Sequence, residues 1–320
     1  MADYVICARN IDGKKFGSEP APATYLAIEN DAAPKPSSDQ IVKADVWAKR
    51  VIAEAQQGGV ATSGMGNVLV FVHGFNNDQG TVMQRHRKLR DDLNAAQFRG
   101  VVVSFDWPSG DVGLFYLEDL ADANHSALQL VAGGILLLAS FQQPDCPINV
   151  HILAHSMGAY VTREAFTAAD DADDLTGKTW RVSQVMLIAG DISSRSLSAT
   201  DHRTEGLYRN CTRLTCYSNR HDNVLALSNV KRAGVAPRAG RVGLPDSSPP
   251  HAVNVDCSDY WKQSIDGSQQ QVIGSREHSW HIGDPVFTKD MLDNMNGADR
   301  EVRPTRASVD VNRFALIRPA

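Results

Sequence analysis

Apolar residues in this chain cluster in short runs, separated by longer stretches where they recur at helical spacing. Runs at 68–72, 101–105, 148–153, 182–189, 212–218 and 253–257 are short and rich in β-branched side chains. That is the pattern of strands buried on both faces. Between them, Ala44, Trp47, Ala48, Val51, Ile52 and Ala55 mark a helix that starts after Asp39 and stops at Gly58-Gly59. Further helices are expected at 81–96, at 114–140 with a break at Gly133-Gly134, directly after Gly158, and at 284–295. The amino terminus reads as two strands, 4–8 and 24–28, separated by an Asp12-Gly13 turn and a Gly/Ser/Pro stretch. Residues 32–38 read as a proline-containing loop, and 253–257 as the last strand.

Strands alternating with helices along the whole chain predict a mostly parallel central sheet with helices on both faces. No internal repeat or linker interrupts the pattern. The expected organisation is one domain over 1–320, with an N-terminal strand hairpin at about 1–30 and a C-terminal tail at about 296–320. The tail is polar until Phe314-Ala315-Leu316-Ile317, and the pattern assigns it no role.

Composition narrows the function classes. A chain of 320 residues, 42% hydrophobic, suffices for one sizeable core. A net charge of -5 gives no electrostatic footprint for nucleic acid. The apolar stretch 127–141 is too short for a membrane span and carries Gln129, so a buried helix is expected there. The start lacks a charged leader followed by a long apolar run, which leads to an expectation of a cytoplasmic protein. Five scattered cysteines form no CxxC pair. Gly64-Met65-Gly66 is too short for a dinucleotide fingerprint, and no phosphate-binding loop is present, so no cofactor is expected.

The chemistry centres on 148–160, INVHILAHSMGAY. A strand runs into Ala154-His155-Ser156-Met157-Gly158 and then into a helical pattern. This is the small-x-Ser-x-small nucleophile elbow, with alanine in the first small position. Residues two before and two after the serine must be small so that strand and helix can pass closely. The helix beyond aims free N–H groups at the serine.

In an open parallel sheet, functional groups gather beyond the carboxyl ends of the strands. Standing there are His73-Gly74-Phe75, Asp106-Trp107, Ser156, Asp191 and Asp222. A serine needs a base, and the base needs a carboxylate to hold its tautomer. His251 precedes its strand and lies at the wrong end. His155 adjoins the serine, on a turn that should point the two side chains apart. His278 and His281 lie in the loop after the last strand, and His278 is chosen as base. A metal on the His278/His281 pair lacks a third ligand, and no metal is expected. Asp222 is the first candidate for the acid and Asp191 the alternative. The N–H groups of Phe75 and Met157 are candidates for an oxyanion hole, with His73 bracing the turn. His155, Trp107 and Tyr116 are candidates for a substrate pocket, and the stretch 128–141 could form a lid.

With these pieces in view, the sequence resembles the α/β-hydrolase superfamily, and within it a bacterial family of lipase-like or esterase-like hydrolases. The resemblance rests on Val70-Phe71-Val72-His73-Gly74-Phe75-Asn76-Asn77, on Phe105-Asp106-Trp107-Pro108-Ser109, and on His151 through Gly158. Tyr217-Ser218 with Asp222 close behind, and His278-Ser279-Trp280, complete it. The segment 10–17 also resembles that family's N-terminal hairpin. Two departures are Ala154 for the first glycine and Trp280 for an expected tyrosine. The resemblance implies the α/β-hydrolase fold and a Ser156–Asp222–His278 triad that cleaves carboxylic esters of small molecules through an acyl-enzyme. Thioesterase, amidase or acyltransferase chemistry on the same triad, or an idle fold used for binding, are the alternatives. Oligomeric state is not legible.

Overall fold

The computed structural model describes residues 2–29, 35–59, 65–109, 116–135, 137, 148–170, 180–231 and 237–319. Among the described residues eleven strands form one sheet. They are β1 (Asp3–Asp12), β2 (Lys15–Ile28), β3 (Ile41–Val42), β4 (Gly66–Val72), β5 (Gly100–Asp106), β6 (Ile148–His155), β7 (Val182–Ile188), β8 (Cys211–Ser218), β9 (Ala252–Asp256), β10 (Arg306–Asp310) and β11 (Arg313–Leu316). Their spatial order is β10-β11-β9-β8-β7-β6-β4-β5-β1-β2-β3. From β11 to β1 every neighbouring pair is parallel; β10, β2 and β3 are antiparallel additions at the two edges.

The helices are α1 (Ala44–Gly59), α2 (Gln79–Ala95), α3 (Tyr116–Leu130), α4 (Gly158–Asp170), α5 (His202–Arg209), α6 (Asn223–Lys231), α7 (Ala239–Val242), α8 (Ser258–Ser264), α9 (Arg276–Ser279) and α10 (Pro285–Met295). They cover both faces, and the period of two along β4 shows how. Val68, Val70 and Val72 meet Trp47 and Val51 of α1, Ala127 of α3 and Phe166 of α4 in one core. Leu69 and Phe71 point the other way, into a core with Leu89 and Leu93 of α2, Trp261 of α8 and Phe287 of α10. A strand sandwiched in this way has no solvent face, which is why its sequence is an unbroken apolar run.

The strand order reverses beside β4. β5 lies on one side of β4, and the next strand, β6, lies on the other. Loops leaving the carboxyl ends of β4 and β6 therefore diverge and open a crevice, the place where such sheets bind ligands.

Two expectations change. The Gly/Ser/Pro stretch between the first strands is strand: β2 runs through it, with Arg9 opposite Pro20 and a positive φ of 61° at Gly13 making the turn. Proline is tolerated because β3 reaches β2 only at Tyr25 and Leu26, so Pro20 and Pro22 sit on an open edge. Gln129 of α3 accepts the Ala23 N–H at 3.1 Å beside them. The run at 253–257 is not the last strand either. β10 and β11 follow it, and β11 pairs parallel with β9.

The tail is fastened by a buried polar network. Arg306 makes a two-pronged ion pair with Asp290 of α10, at 2.8 and 2.7 Å. Asp290 also accepts from Thr305 and Tyr217, each at 2.6 Å, and Asn294 donates to the Tyr217 hydroxyl at 2.6 Å. This joins the tail, β8 and α10 in one unit. The expected break at Gly133-Gly134 falls in a wide helical turn, Val131–Ile135, that ends α3. The expected lid, 128–141, lies in part outside the described residues.

Candidate active site

Ser156 follows the last residue of β6 with φ +56°, a left-handed conformation that non-glycine residues seldom take. The elbow is held in it from two sides. Ser156 N–H donates to Ile188 O at 3.1 Å, and Asp191 N–H donates to Ser156 O at 2.9 Å. Gly158 lets α4 pass the end of β4: a Cβ there would lie 2.4 Å from Val72 O and 2.7 Å from His73 O. The need for a small residue at that position is thus steric.

His278, in the short helix α9, places Nδ1 2.7 Å from Oδ2 of Asp222. Asp222 is fully buried, and its other oxygen accepts the Leu225 N–H at 3.0 Å. A carboxylate can only accept, so Nδ1 carries the proton of this contact, and in the neutral ring Nε2 is the nitrogen with the free lone pair. Asp191, the alternative acid, sits on the same cavity wall with other partners. Ser228 donates to both its oxygens at 3.0 Å, and Arg238 Nε lies 3.1 Å away. Burial raises the Asp191 carboxyl above its ordinary range, against the pull of Arg238.

Ser156 and His278 line one cavity of about 370 Å³. Among the described residues no hydrogen bond joins the Ser156 hydroxyl to the His278 ring. The cavity roof is the turn after β4. A Cβ on Gly74 would fall 2.6 Å from the Cβ of Ser156, so this turn lies directly against the serine. Asn77 folds back to donate to Gly74 O at 2.7 Å and Phe75 O at 3.0 Å. Among the described residues neither the Phe75 N–H nor the Met157 N–H has an acceptor.

His73 braces this turn from below. It is fully buried, its Nδ1 lies 2.8 Å from Gly74 O, and its Nε2 accepts the Trp107 N–H at 3.2 Å. Burial holds its imidazole below the ordinary histidine range. Trp107 is correspondingly not a pocket residue. Its ring stacks on His73 and its indole N–H donates to His73 O at 2.9 Å, which fixes it in the core away from the cavity. The side chain of Tyr116 lies outside the described residues. His155 does line the cavity, and its ring stands 4.8 Å from those of both His278 and His281. Burial, the two histidines and Arg85 hold it well below the usual range. Its Nε2–H donates to His278 O at 3.0 Å, so it props the segment carrying the candidate base.

Two arginines went unread in the sequence. Arg9 of β1 donates to Asp106 Oδ1 at 2.8 Å, to Trp107 O at 2.8 Å and to Asn77 O at 3.3 Å, clamping the loops after β4 and β5 together. Arg85 of α2 is buried and lines the cavity. A signal for it existed. Val82, Leu89 and Leu93 mark the buried face of α2, and Arg85 falls on that face at i+3 from Val82. A charge at a core-facing position asks for a reason.

Among the described residues, no group of three or more His, Cys, Asp or Glu is arranged to hold a metal ion. No helix there is long and apolar enough to cross a membrane.

A sequence model of a family described as "Alpha/beta hydrolase of unknown function (DUF900)" matches residues 53–268. No curated protein matches the chain. Among solved structures, the chain is similar to a putative cell surface hydrolase from Lactobacillus plantarum WCFS1. The identity is 14% and the TM-score 0.38, over 72% of this chain and 90% of that one. A cutinase-like protein from Cryptococcus sp. shows 14% identity and a TM-score of 0.34, over 73% and 96%. An extracellular α/β-hydrolase from a Paenibacillus species shows 12% identity and a TM-score of 0.30, over 73% and 99%.

Proposed function

The chain belongs to this α/β-hydrolase family, and we propose that it is a serine hydrolase that cleaves carboxylic esters through an acyl-enzyme on Ser156. One observation carries the reading. The serine on the left-handed elbow opens into the same cavity as a histidine whose Nδ1 is held by a buried carboxylate 2.7 Å away.

The chemistry follows from the placement. Nε2 of His278 takes the Ser156 proton as Oγ bonds to the ester carbonyl carbon. Charge then moves onto the carbonyl oxygen. The N–H groups of Phe75 and Met157 have no acceptor of their own and receive it, at about 3 kcal/mol of barrier per donor. The imidazolium, steadied by Asp222, returns its proton to the leaving alkoxide as the C–O bond breaks. Water repeats the cycle on the acyl-enzyme and releases the acid. Nucleophile–base contacts are often loose before substrate arrives, so an open Ser156–His278 pair is compatible with this role.

The test is covalent. A fluorophosphonate probe should add one mass increment to the peptide containing Ser156, and Ser156→Ala should lose both labelling and p-nitrophenyl ester turnover while keeping its circular dichroism spectrum. Unlabelled Ser156, or turnover that survives the substitution, rejects the reading.

A further inference from the structure

One charged side chain of the cavity has no ionic partner in contact with it. Asp222 faces His278, and Asp191 faces Arg238. Among the described residues Arg85 faces neutral groups only. Its Nη2 donates to Ile273 O at 2.8 Å and to Ser279 Oγ at 3.3 Å, and its Nη1 lies 3.4 Å from Nδ1 of His155. Its Nε is buried with no acceptor. The side chain is 4% exposed, yet it lines the same cavity as Ser156.

Burying a charge without a counter-charge costs several kcal/mol. A strut between α2 and the 273–279 segment would need only a neutral donor, since both acceptors are neutral. An unpaired guanidinium in a ligand cavity is instead suited to an oxyanion, which its planar fork of donors matches. No carboxylate offsets burial here; burial alone draws the group down to about 10, which leaves it charged at neutral pH. The rest of the cavity complements this. Val224, Leu225 and Leu227 of α6 supply apolar wall, with Leu227 64% exposed. The cavity thus offers hydrocarbon surface and one buried cation.

We propose that Arg85 is an anion-binding residue of this cavity, and that the preferred substrates are esters bearing a carboxylate or phosphate group beside an apolar portion. The inference rests on the ester-hydrolase reading for the word substrate, but the anion site can be tested without it.

The test compares matched esters. p-Nitrophenyl hemiadipate against p-nitrophenyl hexanoate places the charge on the acyl half at equal chain length. 4-Acetoxybenzoate against its methyl ester places it on the alcohol half. Wild-type protein should favour the anionic member of at least one pair by about tenfold or more in kcat/KM, mainly through KM, as expected for a charge-assisted hydrogen bond. Arg85→Gln keeps a donor for Ile273 O and should collapse that ratio toward one. A strut would lower stability and leave the ratio intact. Should Arg85→Gln fail to fold, the wild-type ratio and competitive inhibition by free adipate decide in its place. Equal turnover of both members of both pairs, or a preference that survives in Arg85→Gln, overturns the proposal. If no ester is turned over at all, the hydrolase reading fails separately. Calorimetric binding of adipate to Ser156→Ala then tests the anion site, and no binding overturns it.

Discussion

Gly74 and Ser156 are eighty-two residues apart, yet a methyl group on the first would sit 2.6 Å from the Cβ of the second. The end of β4 therefore presses on the elbow at the end of β6. Contact this close leaves no room for a side chain at Gly74.

Gly74→Ala should damage function more than folding. The new methyl would also meet His155 O at 3.1 Å, so the turn must lift and carry Phe75 with it. Loss of one oxyanion donor costs about 10²-fold or more in kcat. Overpacking of this kind costs about 1–3 kcal/mol in stability. Stopped-flow turnover and urea melts on the same preparation separate the two effects. A variant with wild-type kcat would mean that the Phe75 turn has no part in the chemistry.

Asp222→Asn and Asp191→Asn should behave differently although both carboxylates line or back the same cavity. An amide at 222 presents a donor or a weaker acceptor to Nδ1 and favours the wrong tautomer, a change worth about 10⁴-fold in kcat where a triad operates. Asp191 spends its oxygens on Ser228 and faces Arg238, so its amide should keep most of the turnover. Matched kcat measurements at one pH check this, and a dead Asp191→Asn beside an active Asp222→Asn would reverse the assignment.

The elements that could be read from the sequence are those whose pattern is decided locally. β4 is buried at every position and its apolar run announces it. The elbow is legible because backbone passage demands Gly158 whatever surrounds it. β10 is illegible for the opposite reason. An edge strand with the burial of Arg306–Asp310, one buried position and then exposure, keeps polar side chains outward and shows no alternation. Trp107 is ambiguous in the sequence because an aromatic near a strand end reads alike in a pocket or a core; its partner His73 lies 34 residues away. Arg9 and Arg85 needed three-dimensional neighbours to acquire meaning, although Arg85 broke the apolar face of α2 in plain view.

The C-terminal network should be a stability element with a reach into the site. Arg306 and Asp290 bury a bidentate pair, and Tyr217 is the last residue but one of β8, the strand that leads to Asp222. Asp290→Asn strands the guanidinium, and breaking a buried pair by removing one partner costs about 3–5 kcal/mol. Tyr217→Phe removes one buried hydroxyl and should cost about 1–3 kcal/mol. Chemical denaturation of both variants gives the order. A cost for Asp290→Asn within error of zero would show that the tail is dispensable to the fold.

Acid should unfold the protein within a defined window. Burial alone would raise Asp3, but hydrogen bonds and charges from His86, Arg87 and Arg90 bring it down to about 2. Asp290 is likewise lowered by Arg306, Thr305 and Tyr217 against burial, and Asp106 by Arg9 and Gln79 against burial. A carboxyl whose folded pKa lies below its unfolded value, near 3.9, contributes stability that is fully present above that value. The contribution is lost as pH falls through the folded pKa. Stability should therefore change little on account of these groups above pH of about 5, then fall steeply from about 4 toward 2. Urea melts across that range measure the slope, and Asp3→Asn should make it shallower because one of the protons taken up on unfolding is gone. An unchanged slope in Asp3→Asn would mean that Arg87 and Arg90 do not hold the carboxylate as the geometry implies.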